Sequence, residues 1–384
     1  MRKAVIITPF DNYSYEVRIK YVERYFSERG YDVKVISSDF DHRKKTAYCS
    51  IRENLELLHV PSYKKNLSYS RIHSHKVFSK KALKRIETIN PDIIYCSAPP
   101  NFLFKYMSFY KKCKPNVKLI YELGDLWPET LPLQAIIKKL AAPVLNIWAG
   151  IRNNNIGFGD GIVYECEMFR QEVEKVHFNA ISEVIYLSKE DYYNGNFTPS
   201  EVPNNLLRFA YVGSINNIID IELIVEIMKL SARKSKVELV VIGGGESADR
   251  LFSLCDSAGI KYENHGVVFD EEKKHRILSS CQFGLNIMKD SVAVGATMKS
   301  LEYFHEGLIL INNIKADTSN IVSDYNCGIN LENDFSNSLN TFLGSLDVDK
   351  IYHLSLNSRK VYEDLFSVEA LDKRYTLFLD RLGI

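Results

Sequence analysis

Neither sign of charge prevails in this chain: 49 lysines and arginines face 48 aspartates and glutamates, for a net charge of +1. Nothing global draws in a polyanion, so no nucleic acid partner is expected. Cysteine is scarce, with 7 scattered residues, no CxxC pair and no Cys/His cluster at zinc spacing, which reads as reduced thiols in a cytoplasmic protein. No run of about 18 uninterrupted apolar residues occurs, so membrane contact is expected to be peripheral, on the inner face of the cell membrane. "MRKAVIITPF" passes from a short apolar stretch into a polar loop too early for a signal peptide, and reads as a first strand. No GxGxxG follows it; "ITPFDNYSYE" stands there instead, which argues against a NAD-dependent dehydrogenase. Short-period repeats and low-complexity tracts are missing as well.

What is present is alternation. With 384 residues and about 150 per domain, two domains are expected. Apolar residues at 46% and charged ones at 25% let each bury a core. "KAVIITP" is a continuous apolar run. In "YEVRIKYVERYFSERG", Tyr15, Ile19, Val22 and Phe26 recur at helical spacing and Gly30 supplies the stop; "YDVKVISS" is the next strand. Strands on both sides of an amphipathic helix imply a βαβ unit with a parallel sheet. The pattern continues through "PDIIYCSAP", "VKLIYEL" and "GIVYECEM", with helices near 75–89, 101–112 and 133–152. This marks residues 1–193 as a first domain, and the Pro- and Asn-rich stretch 194–205 as a linker. A second series, 206–357, runs "RFAYVGS", "KVELVVIGGG", "KYENHGVV", "FGLNIM", "LILINN" and "GINLE". Residues 358–384 carry a helix over 358–381 with the apolar stripe Val361, Leu365, Leu371, Tyr375, Phe378 and Leu382. The fold class is α/β, two Rossmann-like parallel-sheet halves facing a cleft that is the expected binding site.

In the second half, glycines fall where strands end: Gly213 with Ser214, and Gly243, Gly244 and Gly245. Each is either a tight turn or a place where backbone amides approach phosphate or sugar oxygens, and two in adjacent units favour a ligand. "TMKSLEYFHEG" (297–307) opens a helix at the same sheet edge. Thr297 and Met298 offer amides and the positive dipole end to a diphosphate, Lys299 adds a cation, and Glu302 can accept two hydrogen bonds from a ribose diol. The other reading is an ordinary amphipathic helix with Lys299 and Glu302 as a solvated (i, i+3) pair.

"KSLEYFHEGLILI" resembles the K-x-x-E-Y-x-x-x-G-x-x-(V/I/L)-I stretch of family 4 glycosyltransferases, and Gly213, the Gly243–Gly245 turn and "SSCQFGLNI" fall where that family's do. The resemblance implies the GT-B fold, with residues 358–384 returning to pack on the first domain. It also implies a nucleotide diphosphate sugar donor, UDP-sugar favoured, and transfer with retention of configuration without metal or other cofactor. By that likeness Glu302 holds the ribose, the amides near Thr297 and Met298 the diphosphate, and Gly213 and Gly244 admit the donor. Two departures stand out. Val294 replaces a glutamate common eight positions before the Glu302 equivalent, and "GSINNIIDIE" lacks the Arg and Lys often found there. Charge neutralisation then falls on Lys299, with Arg18 from across the cleft. "YELGDLWPET" (121–130) resembles the D-L-W-P-E segment of members that build bacterial surface polysaccharides. Asp125 either orients an acceptor hydroxyl or caps the next turn, and Trp127 is read as core. Ser14, Tyr15 and Arg18 line the same edge, Arg18 as acceptor or phosphate contact. Asp125 and Lys299 are the catalytic candidates, and no general base is assigned. Acidic neighbours such as Asp270 and Glu271 read as helix caps, so no metal site is expected.

The acceptor is expected to be a lipid-linked or other glycan. Residues 63–86 carry eight Lys and Arg with no acid until Glu87, interleaved with Tyr63, Tyr69, Ile72 and Phe78. Basic residues near an anionic membrane surface contribute about 1 kcal/mol each. That surface is ranked ahead of a solvated basic face for this segment, whereas "LQAIIKKLAAPVLNIWAGIR" is read first as a buried core helix. Two further functions fit the same scaffold: a nucleotide-sugar epimerase or hydrolase, and, given Val294, a catalytically silent partner in a glycan assembly complex.

Overall fold

The computed structural model describes the whole chain except residues 12–16, 51, 132, 134, 177, 194–196, 203–205 and 333. It divides into two units, Met1–Ile185 with Asp372–Ile384, and Tyr186–Leu371.

In the first unit the apolar run that opens the chain forms β1 (Arg2–Ile7), wholly buried from Ala4 onward. Along the chain follow α1 (Val17–Glu28), β2 (Tyr31–Ser38), a short antiparallel pair β3 (Phe40–Asp41) and β4 (Thr46–Ala47), and β5 (Leu55–Leu58). Next come α2 (Tyr69–Ile89), β6 (Ile93–Ala98), α3 (Phe102–Cys113), β7 (Lys118–Leu123), α4 (Ala135–Asn153), β8 (Gly161–Tyr164), α5 (Glu167–Val173) and β9 (Ile181–Val184). The seven-stranded sheet has the order β5-β2-β1-β6-β7-β8-β9, all parallel. Strand order reverses between β1 and β6, the switch point beyond whose carboxyl ends open α/β sheets bind ligands. Ile19, Val22 and Phe26 of α1 are buried, as their spacing predicts. The chain's last residues pack here too: Tyr375, Phe378 and Leu382 are buried, and a Cβ on Gly161 would come within 2.8 Å of Phe378 and Leu382.

The second unit has β10 (Leu206–Val212), α6 (Ile221–Ala232), β11 (Lys236–Ile242), α7 (Ala248–Ser257), β12 (Lys261–Asn264), α8 (Glu271–Leu278) and β13 (Phe283–Asn286). Then come α9 (Met298–His305), β14 (Ile309–Asn312), α10 (Asp317–Tyr325), β15 (Gly328–Asn330), α11 (Phe335–Gly344), α12 (Val348–Val361) and α13 (Val368–Arg381). Its parallel sheet of six strands runs β12-β11-β10-β13-β14-β15, with the switch point between β10 and β13. Apolar residues of α6, α11 and α12 pack on one face of the sheet with Phe209, Leu239 and Phe283, and those of α9 and α10 on the other.

Three sequence expectations differ from the structure. The second unit already begins at Tyr186, whose hydroxyl donates to Asp317 Oδ1 at 2.7 Å, while Lys189 N reaches Phe366 O at 3.0 Å. The helix expected over 358–381 is two: a π-helical turn at Tyr362–Phe366 and an extended Ser367 separate α12 from α13. And α4 is no core helix, because Ile136, Ile137, Leu140, Val144 and Ile147 are 48 to 79% exposed. Among the described residues no helix is long and apolar enough to cross a membrane.

Candidate functional site

Beyond the carboxyl ends of β10 and β11, two glycine turns pack backbone to backbone. Gly213 N donates to Ile242 O at 2.8 Å and Ile215 N to Gly244 O at 2.9 Å. A Cβ on Gly243 would lie 1.9 Å from Gly213 O, so the chain itself demands glycine there. Gly244 differs: Val267, 3.7 Å away, is all that a Cβ would meet, and its amide, like that of the exposed Ser214, has no acceptor among the described residues. Gly213, at φ 118°, makes room for a neighbour, since a Cβ there would lie 3.2 Å from Lys299 Cε.

Three adjacent strands end on asparagines in register, Asn286, Asn312 and Asn330. Asn286 Nδ2 donates to Asn312 Oδ1 at 2.9 Å and Asn312 Nδ2 to Asn330 Oδ1 at 2.8 Å; Asn286 and Asn312 are fully buried. The Thr297 hydroxyl donates to Asn286 Oδ1 at 2.9 Å, which pins the start of α9 to the sheet. Thr297 and Ser300 form a capping box: Thr297 N donates to Ser300 Oγ at 3.1 Å, and Ser300 N to Thr297 Oγ1 at 2.9 Å. This corrects the expectation for Thr297, whose amide is taken up within the protein. The amides of Met298 and Lys299, without an acceptor among the described residues, are the ones left for an anion at the positive end of the helix.

Lys299 Nζ lies 2.9 Å from Tyr211 Oη and 4.5 Å from the centroid of that ring. No carboxylate pairs with it among the described residues, and burial pushes its ammonium down to about 8. Glu302 is not its partner, so the solvated (i, i+3) pair is not what α9 carries. Glu302 is gripped instead by Lys189 at one oxygen and by Lys274, at 3.1 Å, at the other; both lysines also hold Glu271, at 2.8 and 2.6 Å. Each carboxylate oxygen keeps a second lone pair, so the immobilised Glu302 can still accept from a diol. One turn on, Tyr193, His275 and His305 all bond the buried Glu306 carboxylate, and these partners hold it below the usual carboxylate range despite burial.

In the first unit the residues expected to meet an acceptor are placed differently. Arg18 is buried: its guanidinium pairs with Glu122 at 3.1 Å, donates to Ile185 O at 2.8 Å and reaches Tyr375 Oη at 3.3 Å. The expected phosphate contact is thus a structural ion pair, closed off by the C-terminal residues. Ser14 and Tyr15 lie outside the described residues. Asp125 Oδ1 accepts from Leu126 N at 2.8 Å and Thr130 Oγ1 at 2.6 Å, which is the capping role; burial raises its carboxyl against the pull of these bonds, Trp127 and Arg71. Any contact with an acceptor falls to Oδ2. Trp127 is half-buried rather than core, with Arg71 over its face, 4.1 Å from the ring centroid, and His75 stacked at 6.0 Å.

No family model and no curated protein matches this chain. Solved structures do. The chain aligns over 100% of its length with 99% of a sucrose-phosphate synthase from Thermosynechococcus elongatus, at TM-score 0.70 and 12% identity. It also aligns with the lipopolysaccharide outer core galactosyltransferase WaaB, at TM-score 0.65 and 14% identity, over 99% of both chains. Anabaena HepE, in complex with UDP and glucose, matches at TM-score 0.62 and 12% identity over 99% of this chain and 100% of that one. The fold is GT-B, two parallel-sheet α/β domains.

Within this GT-B chain several residues of the site escaped sequence reasoning. The asparagine ladder had a signal, an Asn at the end of "FGLN", "LILIN" and "GIN", legible once the strands are known to be neighbours. Lys189 and Lys274 had none, because nothing in spacing brings residues 189, 274 and 302 together. The basic segment 63–86 forms most of α2 and buries Tyr63, Arg71 and Phe78, leaving Lys64, Lys65, Lys76, Lys80, Lys81 and Lys84 exposed with Tyr69.

Proposed function

We propose that this protein is a glycosyltransferase that moves a sugar from a UDP-sugar to a lipid-linked or other glycan acceptor with retention of configuration. The bond from the anomeric carbon to the diphosphate breaks, one to an acceptor oxygen forms, and UDP and a proton are released. One observation carries the reading: at the switch point of the second sheet, Lys299 is an ammonium with no carboxylate partner among the described residues, set between Gly213 and the amides of Met298 and Lys299, which have no acceptor among those residues either. A diphosphate supplies the missing negative charge, and the same groups stabilise it as it departs, with no metal assigned. Glu302, fixed by Lys189 and Lys274, takes the ribose; Gly213, Ser214, Gly243 and Gly244 form the donor's floor, and Asp125 Oδ2 faces the acceptor. HepE's complex with UDP and glucose supports the choice of nucleotide.

The acceptor is reached at an anionic membrane surface. The support is α4, whose exposed Ile136, Ile137, Leu140, Val144 and Ile147 are flanked by exposed Lys138 and Lys139, the pattern of a helix lying in a lipid interface.

Thermal unfolding with UDP, GDP and ADP sugars tests the donor, because a ligand raises apparent stability by mass action. A UDP-sugar is expected to raise Tm, and to be consumed only when an acceptor is added. No stabilisation by any nucleotide sugar would remove the reading. Consumption of donor alone would indicate an epimerase or hydrolase, and binding without turnover on any acceptor a silent partner.

A further inference from the structure

Among the described residues, the first unit holds a second cation without a carboxylate partner, which the donor site does not use. Arg71, on α2, is 8% exposed, and its guanidinium donates through NH1 to Asn66 O at 3.3 Å and interacts with Tyr63, while Nε has no partner among the described residues. It lies over the face of Trp127 and 5.6 Å from the centroid of Tyr63. One turn along α2, His75 is 4% exposed, stacks on Trp127 with the planes 13° apart, and buries Nε2 without a partner among the described residues. Phe10, half-buried beyond β1, meets His75 at 5.8 Å between ring centroids. Asp125 is the carboxylate whose charge reaches Arg71, yet the two form no salt bridge.

A buried guanidinium without a paired anion is a cost to the fold that a bound anion would offset. Basic groups lie around Tyr63, with the carboxylates of Asp125 and Asp41 nearby. Lys45 stands 4.7 Å from the centroid of Tyr63, and burial together with nearby Arg71 pushes the His75 imidazole down to about 3, so it stays neutral. A neutral imidazole offers one N–H and one acceptor nitrogen, and Arg71 offers N–H groups only. A phosphate monoester carries both O⁻ and, as the monoanion, O–H, and its tetrahedral oxygens diverge enough to meet both side chains; a planar carboxylate has neither property. The half-buried Trp127 and Phe10 give the site an apolar wall.

We propose that Arg71 and His75, walled by Trp127, form a phosphoryl-binding subsite in the first unit, and, resting on the transferase reading, that the phosphoryl group belongs to a lipid-phosphate acceptor.

The chain contains two tryptophans, Trp127 and Trp148, with ring centroids 6.1 Å apart, so intrinsic fluorescence reports on this pocket. Full-length protein is titrated with inorganic phosphate, farnesyl phosphate and acetate, and UDP stabilisation is followed separately by thermal unfolding. A saturable change with both phosphates but not acetate is expected, with farnesyl phosphate the tighter. R71M should weaken phosphate binding about tenfold or more, and H75F several-fold, while UDP still raises their Tm. No saturable change in the wild type overturns the subsite whatever the variants do, as does full phosphate affinity in a UDP-responsive R71M. Equal affinity for the two phosphates overturns the acceptor assignment. UDP stabilisation alone is read on the second unit, so its loss would sink the transferase reading and leave the subsite standing.

Discussion

Lys299 Nζ donates to Tyr211 Oη at 2.9 Å and sits over the same ring, a contact that orients the ammonium without neutralising it. Its charge is therefore available to a ligand. Lys299→Met is expected to lower UDP affinity about 10- to 100-fold by calorimetry, with the fold retained because the methionine keeps the packing against Gly213.

The same lysine predicts proton linkage. Its folded pKa is depressed, to about 8, so the charged form is disfavoured until an anion arrives. Binding of UDP should raise it again, with uptake of about half a proton at pH 8, and affinity should fall as pH rises through that range. Calorimetry in buffers of different ionisation enthalpy measures the uptake. A Lys299→Met protein that still took up the proton would assign it to another group.

Glu302 and its lysines form a mostly buried network in which removal of one charge strands another. A double-mutant cycle with Lys189→Met and Glu302→Gln is expected to give a coupling of about 1–3 kcal/mol in denaturant unfolding. Glu302→Gln should also weaken UDP binding more than it weakens pyrophosphate binding, since its proposed contact is the ribose.

Asn312 links two asparagines across three strands, and both its amide atoms are engaged. Asn312→Leu leaves partners on either side unsatisfied, an expected loss of about 3 kcal/mol and a fall in Tm of about 10 °C. Asn330→Ser, at the ladder's partly exposed end, should cost less than half of that.

On α4, Leu140→Glu and Val144→Glu replace exposed side chains, so unfolding should move by no more than about 0.5 kcal/mol. Co-sedimentation with vesicles rich in anionic lipid should nevertheless be lost. Retained sedimentation would shift the membrane-facing surface to the exposed lysines of α2.

The two alternating series of apolar runs and amphipathic stretches specified two parallel α/β units, since the helical and strand periods are local and each run must bury its apolar face. The stretch 297–307 was legible as a helix opening at a strand end, because "FGLNIM" and "TMKSLEYF" are contiguous in sequence. Tertiary structure alone decided what the side chains there do. Thr297 closes its own amide with Ser300, Glu302 turns to Lys189 and Lys274, and Arg18 sinks against Glu122 beneath the last residues of the chain. It also exposed the apolar face of α4 and buried Arg71 and His75, the reverse of what composition implied. Apart from the local Thr297–Ser300 cap, the physical reason is common: which loops fold back on which strands sets both the burial of a face and the hydrogen bonds and ion pairs between residues tens or hundreds of positions apart. Local periodicity carries no record of that.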